Sequence, residues 1–294
     1  MGWAVAIHGG AGAILESLTS THRADVEAAL PELTEVAARM LRDGAAAIDA
    51  VEEAVVALEE CELFQAGRGA VLSAAGAHEL EASIMDGHTG GAGAACGLQT
   101  VRNPIRLARQ VMERTTHVFV GGSGAEDLAR AWELDRVPNA WFTTQRRLDQ
   151  LRAHLADPNS GRPHPATVGA VACDRKGRLA AATSTGGTTG KLPGRIGDAP
   201  VIGAGTWADQ RVAVSATGIG ECFLRSGSAR MVSAHMELSG ASCQAASRAV
   251  LDAMPEASGG LIVVDQAGRV ALPYTSQGMY RGWALESGGS GIGI

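Results

Sequence analysis

Aromatic residues are scarce: Phe, Trp and Tyr make up 4% of the 294 residues. A core without large rings must close through small side chains and tight backbone approach, which the 39 glycines and the abundant alanines permit. No run of about 18 apolar residues occurs, so no membrane-spanning helix is expected. The opening MGWAVAIHGGAGA lacks the basic start, longer apolar stretch and cleavage signal of a secretory leader. Lys and Arg form no block and the net charge is −6, so a cationic footprint for nucleic acid is missing. Cys61, Cys96, Cys173, Cys222 and Cys243 are odd in number, widely spaced and never arranged as CxxC, which signals neither a disulfide framework nor a zinc site. GxSxG, HExxH and Walker motifs are absent, and Gly9-Gly10-Ala11-Gly12 falls short of the dinucleotide fingerprint. The expectation is a cytoplasmic globular protein that binds neither nucleic acid nor membrane.

What is present reads as layered α/β packing with sheets inside and helices outside. Helical spacing runs from Asp25 to Arg42 and again from about Ala45 to Leu58. Gly67 to Asp86 alternates like a strand pair turning at Ala74-Ala75-Gly76. Asn103-Pro104 opens a helix to about Arg114, His117–Val120 reads as a strand, and Ser123 with Glu126 spells a capping box. Between about Gln145 and Pro165 the pattern dissolves into charge and proline, as in a linker. A hairpin follows, from Thr167 to Asp174 and from Leu179 to Thr183. Helices around Cys222–Leu238 and Cys243–Met254 and strands Val212–Ser215, Leu261–Asp265 and Arg269–Pro273 complete the chain.

Three stretches are unusually rich in Thr and Gly: Thr183–Gly190, Arg195–Asp198 and Thr217–Gly220. Hydroxyls and bare amides suit an anion or an oxyanion, although ordinary turn chemistry explains such stretches equally well. His8 and His164 have no partner at a ligand or triad spacing and read as structural.

Taken together, His8-Gly9-Gly10-Ala11-Gly12, Thr167–Val171, Ser184-Thr185-Gly186-Gly187, Leu192–Asp198 and Thr217–Glu221 resemble the plant-type L-asparaginase/isoaspartyl peptidase family, in its order and near its spacing, from Met1 to about Trp283. The resemblance implies a single Ntn-hydrolase domain, a four-layer αββα sandwich, made as a precursor that cuts itself between Ala166 and Thr167. Residues 1–166 would become an α subunit ending in the 145–166 linker, and 167–294 a β subunit. The amine freed on Thr167 then acts as base for its own hydroxyl, since an α-amine of pKa about 8 can take that proton at neutral pH.

Matched position by position, the resemblance implies Thr167 as nucleophile with Thr185 beside it, and Thr217 and Gly218 as oxyanion hole. Arg195 and Asp198 would hold the substrate's α-carboxylate and α-amino groups, a role suited to a guanidinium fork and a carboxylate. Gly220 belongs to the same substrate-binding set, with Gln65, Gly9 and Gly10 as further candidates. Main-chain carbonyls of Leu58, Glu59, Cys61, Phe64, Ala66 and Arg68 match a loop that wraps a structural sodium ion; catalysis itself needs no cofactor. The implied reaction cleaves L-asparagine or β-aspartyl dipeptides, small-molecule substrates, in a homodimer of αβ units. A glycosylasparaginase-like or threonine-aspartase-like amidase, or an unprocessed amino-acid-binding relative, are the alternatives. Two positions depart from the family: Ala166 replaces Gly or Asp before the nucleophile, where a Cβ restricts the backbone, and Gln65 replaces Asn, one methylene longer.

Overall fold

The computed structural model describes residues 2–12, 19–157, 167–256 and 258–294. Among them are eight α-helices and two sheets. The larger sheet is built from β1 (Ala4–Gly12), β2 (Leu80–Asp86), β3 (Ala92–Leu98), β4 (Phe119–Gly121), β5 (Val168–Cys173) and β6 (Leu179–Thr185), with two further strands from the C-terminal end. The smaller sheet holds β7 (Thr206–Ala208), β8 (Val212–Gly218), β9 (Gly259–Asp265) and β10 (Val270–Ala271). The last two strands of the larger sheet are β11 (Gly278–Leu285) and β12 (Ser290–Gly293). The orders are β12-β11-β1-β5-β6-β2-β3-β4 and β10-β9-β8-β7. Every pairing is antiparallel except β3 with β4.

Both central sheets are buried on both faces, and side-chain alternation divides the core. On β1, Val5 and Ile7 pack with α1 (Ser20–Arg42) and α2 (Ala47–Glu60), whereas Ala4 and Ala6 join the layer between the sheets. β5 and β6 do the same: Ala170 and Ala182 face the helices, Val171 and Ala181 the seam. On the smaller sheet Ala213 and Ile262 meet the seam, while Val214 and Val263 pack under α7 (Ser228–Ser239) and α8 (Cys243–Asp252). The seam is dominated by small residues, which lets the two backbones come close and answers the shortage of aromatics.

Several local expectations are corrected. Helix α1 starts five residues before Asp25, because the Thr19 hydroxyl caps it by accepting from His22 N–H at 3.2 Å. The turn expected at Ala74-Ala75-Gly76 is present, but residues 67–73 leading into it form no strand: Gly67 and Gly69 stand at positive φ, and β2 pairs with β3 and β6 instead. The Ser123–Glu126 capping box does not form. The helix there, α4 (Gly122–Ala131), follows Gly121, and the Glu126 carboxylate instead accepts from the N–H groups of Gln99 and Thr100 at 2.6 and 2.8 Å. The helix expected over Cys222–Leu238 is broken into α6 (Gly220–Ser226) and α7 by Gly227, which is left-handed at φ 57°.

The expected linker also shrinks. Gln145–Ala156 is a helix, α5, whose buried Arg147 and Leu151 lie four residues apart on one face while its remaining charges face solvent. The rest of that segment, with Ala166 and His164, lies outside the described residues.

Helix α3 (Pro104–Arg114), entered through Pro104 as expected, lies so close to β3 that a Cβ on Gly93 would overlap the Ala108 carbonyl. Gly93 has no positive φ, so the closeness alone demands glycine. Gly93→Ala is expected to lower unfolding stability by about 2 kcal/mol, by the cost of overpacking, read as a lower urea midpoint at unchanged slope.

Candidate active site

Alternation also carries the hydroxyls to one place. Thr167 lies two residues before Gly169 and four before Val171, so it shares their seam-facing parity at the start of β5. Thr185 ends β6 on the parity of Ala181, and Thr217 nears the end of β8 on the parity of Ala213. With Val168 registered against Ser184, Thr167 and Thr185 fall side by side. The Thr167 Oγ1 donates to Thr185 Oγ1 at 3.3 Å, and Thr185 Oγ1 accepts from the Gly187 N–H at 2.9 Å. Thr217 Oγ1 accepts from Ala11 N–H at 3.1 Å and stands 3.5 Å from the Thr167 carbonyl. All three threonines are buried. Gly218, at φ 147°, has no room for a side chain: a Cβ there would overlap the Ser258 carbonyl.

A charged recess adjoins this cluster. Asp198 is buried and its Oδ2 has no hydrogen-bond partner among the described residues. Burial pushes its carboxyl up to about 7, against the opposing pull of its own amide and of Arg195. The Arg195 fork is held by Glu221, with Nε and Nη2 at 3.0 and 2.9 Å from one carboxylate oxygen. A Cβ on Gly220 would stand 2.8 Å from Asp198 Oδ1 and 2.9 Å from Arg195 Nη2, so the bare glycine keeps open a space bordered by both charges. A simple ion pair across a turn would have joined Arg195 to Asp198; the structure gives the arginine to Glu221 and leaves the aspartate oxygen unused. Behind the recess, buried Lys191 donates to the Glu79 carbonyl at 2.9 Å and to Glu81 Oε1 at 3.2 Å, and Glu81 Oε2 accepts from Gly197 N–H at 2.9 Å. That buried pair fixes the turn carrying Arg195.

The segment from Leu58 to Gly69 closes the other side. Gln65 is buried, its Oε1 unpartnered and its carbonyl accepting from Gly186 N–H at 2.8 Å, which ties it to the strand end that carries Thr185. Gly9 is needed because a Cβ would enter the Phe64 ring, and Gly10, at φ 121°, sits at a bulge in β1. Main-chain oxygens of Leu58, Glu59 and Cys61 accept from Cys61, Arg68 and Phe64 N–H groups, and Phe64 accepts from Arg147 Nη2 at 2.9 Å. Each carbonyl retains a second lone pair, so these oxygens remain able to face a hard cation. Arg147 also donates to the Gly69 carbonyl at 2.6 Å, which fastens α5 to this segment.

Sequence reasoning placed the threonines, Arg195, Asp198 and Gly220 in one region, and the structure brings them together. It missed Glu221, Lys191, Glu81 and Arg147, whose parts depend on contacts across more than 25 residues in each pair. It also set His8 aside as structural. The imidazole is buried with Nδ1 2.8 Å from the Thr167 carbonyl. The available signal was parity: His8 continues the seam-facing series Ala4, Ala6 along β1.

The structure thus brings a buried hydroxyl cluster and the Arg195 and Asp198 charges together on a two-sheet α/β scaffold. A family model described as asparaginase matches residues 1–294, and the chain belongs to that family. The isoaspartyl peptidase of Salmonella typhimurium is 47% identical over 306 residues, covering 99% of this chain and 97% of that protein. The Escherichia coli isoaspartyl peptidase is 46% identical (99% and 95% covered), and the human isoaspartyl peptidase/L-asparaginase 41% identical (97% and 93% covered).

The Asp198 carboxyl supplies a pH test on the free protein. Its folded pKa lies above that of an unfolded aspartate, so its contribution favours the fold at about pH 4 and declines as pH rises toward 7. Asp198→Asn should flatten the fall in stability over that window by up to about 1.4 kcal/mol per pH unit, read from urea midpoints; an unchanged slope would refute the raised value.

Proposed function

We propose that the chain is a self-processing amidohydrolase that cleaves L-asparagine, β-aspartyl dipeptides or both to L-aspartate through an acyl-enzyme on Thr167. The observation that carries this is the buried Asp198 carboxylate, whose Oδ1 borders the space left by bare Gly220 together with the Arg195 guanidinium and whose Oδ2 has no hydrogen-bond partner among the described residues. An α-ammonium satisfies the Asp198 carboxylate, and an α-carboxylate meets Arg195 Nη1, the guanidinium nitrogen that Glu221 does not take. The side-chain amide is then presented toward the threonines. The printed names of the relatives, isoaspartyl peptidase and L-asparaginase, support the same substrate class.

In this account Thr167 Oγ attacks the substrate's side-chain carbonyl while the Thr167 α-amine takes its proton. The developing oxyanion is met by the Thr217 hydroxyl and Gly218 N–H. The proton passes to the departing ammonia or amino group as the C–N bond breaks, and water then hydrolyses the ester by the same base. Before any of this, the hydroxyl attacks the Ala166 carbonyl, the acyl group moves from nitrogen to oxygen, and water opens that ester to free the amine. Packing of α1 and α2 on one sheet, and of α7 and α8 on the other, supports a four-layer αββα sandwich of the Ntn-hydrolase type.

A sodium ion on the carbonyls of Leu58, Glu59, Cys61, Phe64, Ala66 and Arg68 would brace the segment that carries Gln65, with no part in bond breaking. The free state of all five cysteines supports a reducing, cytoplasmic setting, and no helix among the described residues is long and apolar enough to cross a membrane. The assembly is a homodimer of αβ units.

Thr167→Ala should remain full length and lose at least about a thousandfold in turnover of a β-aspartyl dipeptide, whereas the unmutated chain yields a fragment beginning at Thr167 by mass spectrometry. A variant that still hydrolyses the dipeptide at the unmutated rate would overturn the assignment. Replacing sodium by choline at equal ionic strength should lower the thermal midpoint by a few degrees, the linkage effect of a lost bound ion.

A further inference from the structure

His8 is the start of an unbroken line of hydrogen bonds through the seam. Its Nδ1 lies 2.8 Å from the Thr167 carbonyl and its Nε2 2.8 Å from Ser215 Oγ. Ser215 Oγ is 2.7 Å from Thr183 Oγ1, which is 2.6 Å from Thr206 Oγ1. Ser83 Oγ ends the line, 2.7 Å from Thr206 Oγ1 and 2.6 Å from the Ala199 carbonyl, next in sequence to Asp198. All five side chains are fully buried.

The direction of the donors from His8 to Thr206 follows from one fact. A carbonyl oxygen only accepts, so Nδ1 must carry the proton, because two lone pairs would otherwise face each other at 2.8 Å. Nε2 is then an acceptor, Ser215 donates to it, Thr183 donates to Ser215 and Thr206 to Thr183. Burial keeps the ring neutral, with its pKa pushed down to about 3, so a doubly protonated ring does not compete. Gly169 gives independent support: a Cβ there would overlap both Ser215 Oγ and His8 Nε2, so the chain opposite His8 is left bare where these two atoms meet.

We infer that His8, held in its Nδ1–H tautomer by the Ser215–Thr183–Thr206–Ser83 line, is a positioning residue that fixes the main chain of the nucleophile. It touches no reacting atom. By gripping the carbonyl of Thr167 it sets the direction of the Oγ and nitrogen on the same Cα, the two atoms that must act together. The line ends at Ser83, whose single hydroxyl proton goes to Thr206 Oγ1 once Thr206 donates to Thr183, and so does not also bond the Ala199 carbonyl. This inference rests on Thr167 being the nucleophile.

The test combines a spectroscopic and a kinetic arm. In 15N-histidine-labelled unmutated protein, the His8 signal, assigned by its loss in His8→Asn, should show a protonated Nδ1 and an unprotonated Nε2; the opposite tautomer would overturn the inference. His8→Leu should lower kcat on a β-aspartyl dipeptide about a hundredfold, the scale of a small misplacement of a reacting group, with KM within about threefold. His8→Asn, which retains an N–H near the Nδ1 position, should recover at least about a tenth of the unmutated kcat. Ser215→Ala, which removes the donor to Nε2, should fall between them. Rates are taken per molecule bearing a free Thr167 N-terminus, so a defect in self-cleavage is not counted as lost turnover. A folded His8→Leu with unmutated kcat refutes the role, and if that variant does not fold, the tautomer and Ser215→Ala decide. Should the unmutated chain neither split nor hydrolyse the dipeptide, the proposed function fails while the tautomer measurement still judges the line.

Discussion

The two-residue repeat of the β-strand is the constraint on which the site depends. It turns Thr167, Thr185 and Thr217 onto facing surfaces of two sheets, across a seam to which Ala4, Ala6, Ala181 and Ala213 contribute small side chains. Small side chains bring the sheets close enough for hydroxyls on different strands to meet. A seam filled with Phe or Leu would hold the strands farther apart, and the contacts of Thr217 with Ala11 N–H and the Thr167 carbonyl would be lost.

Around that seam, buried charge is arranged with differing degrees of compensation. Lys191 and Glu81 are paired, and the Arg195 fork is occupied by Glu221, whereas Asp198 keeps one oxygen without a partner. Leaving such a group unsatisfied costs stability, and the raised carboxyl pKa is the same cost expressed as proton affinity. In the proposed function a substrate ammonium removes that cost, and Glu81, bonded to the Gly197 amide, fixes the turn that carries Arg195.

Much of this was legible in the sequence where the signal is local. The β5–β6 hairpin and the entry of α3 at Pro104 follow from patterns within about ten residues, whereas the grouping of the Thr- and Gly-rich stretches rests on the family resemblance. Boundaries failed where a distant partner decided them: Glu126 is drawn off its own helix by the amides of Gln99 and Thr100, and residues 67–73 turn about Gly67 and Gly69 instead of extending. His8 shows the limit most clearly. The apolar run predicts a strand that ends at Ile7, whereas β1 runs on to Gly12 and the His8 ring meets Ser215, more than 200 positions away.

The central claim is that the Thr167 hydroxyl becomes a catalyst once its own amine is released. It is tested most directly by following the unmutated protein from its first appearance, measuring the fraction with Thr167 as N-terminus and the rate of aspartate release in the same samples. The account predicts that aspartate release rises in proportion to that fraction and is negligible in the uncut chain. Full activity from uncut protein, or a fully cut protein with no aspartate release from L-asparagine or a β-aspartyl dipeptide, would contradict it.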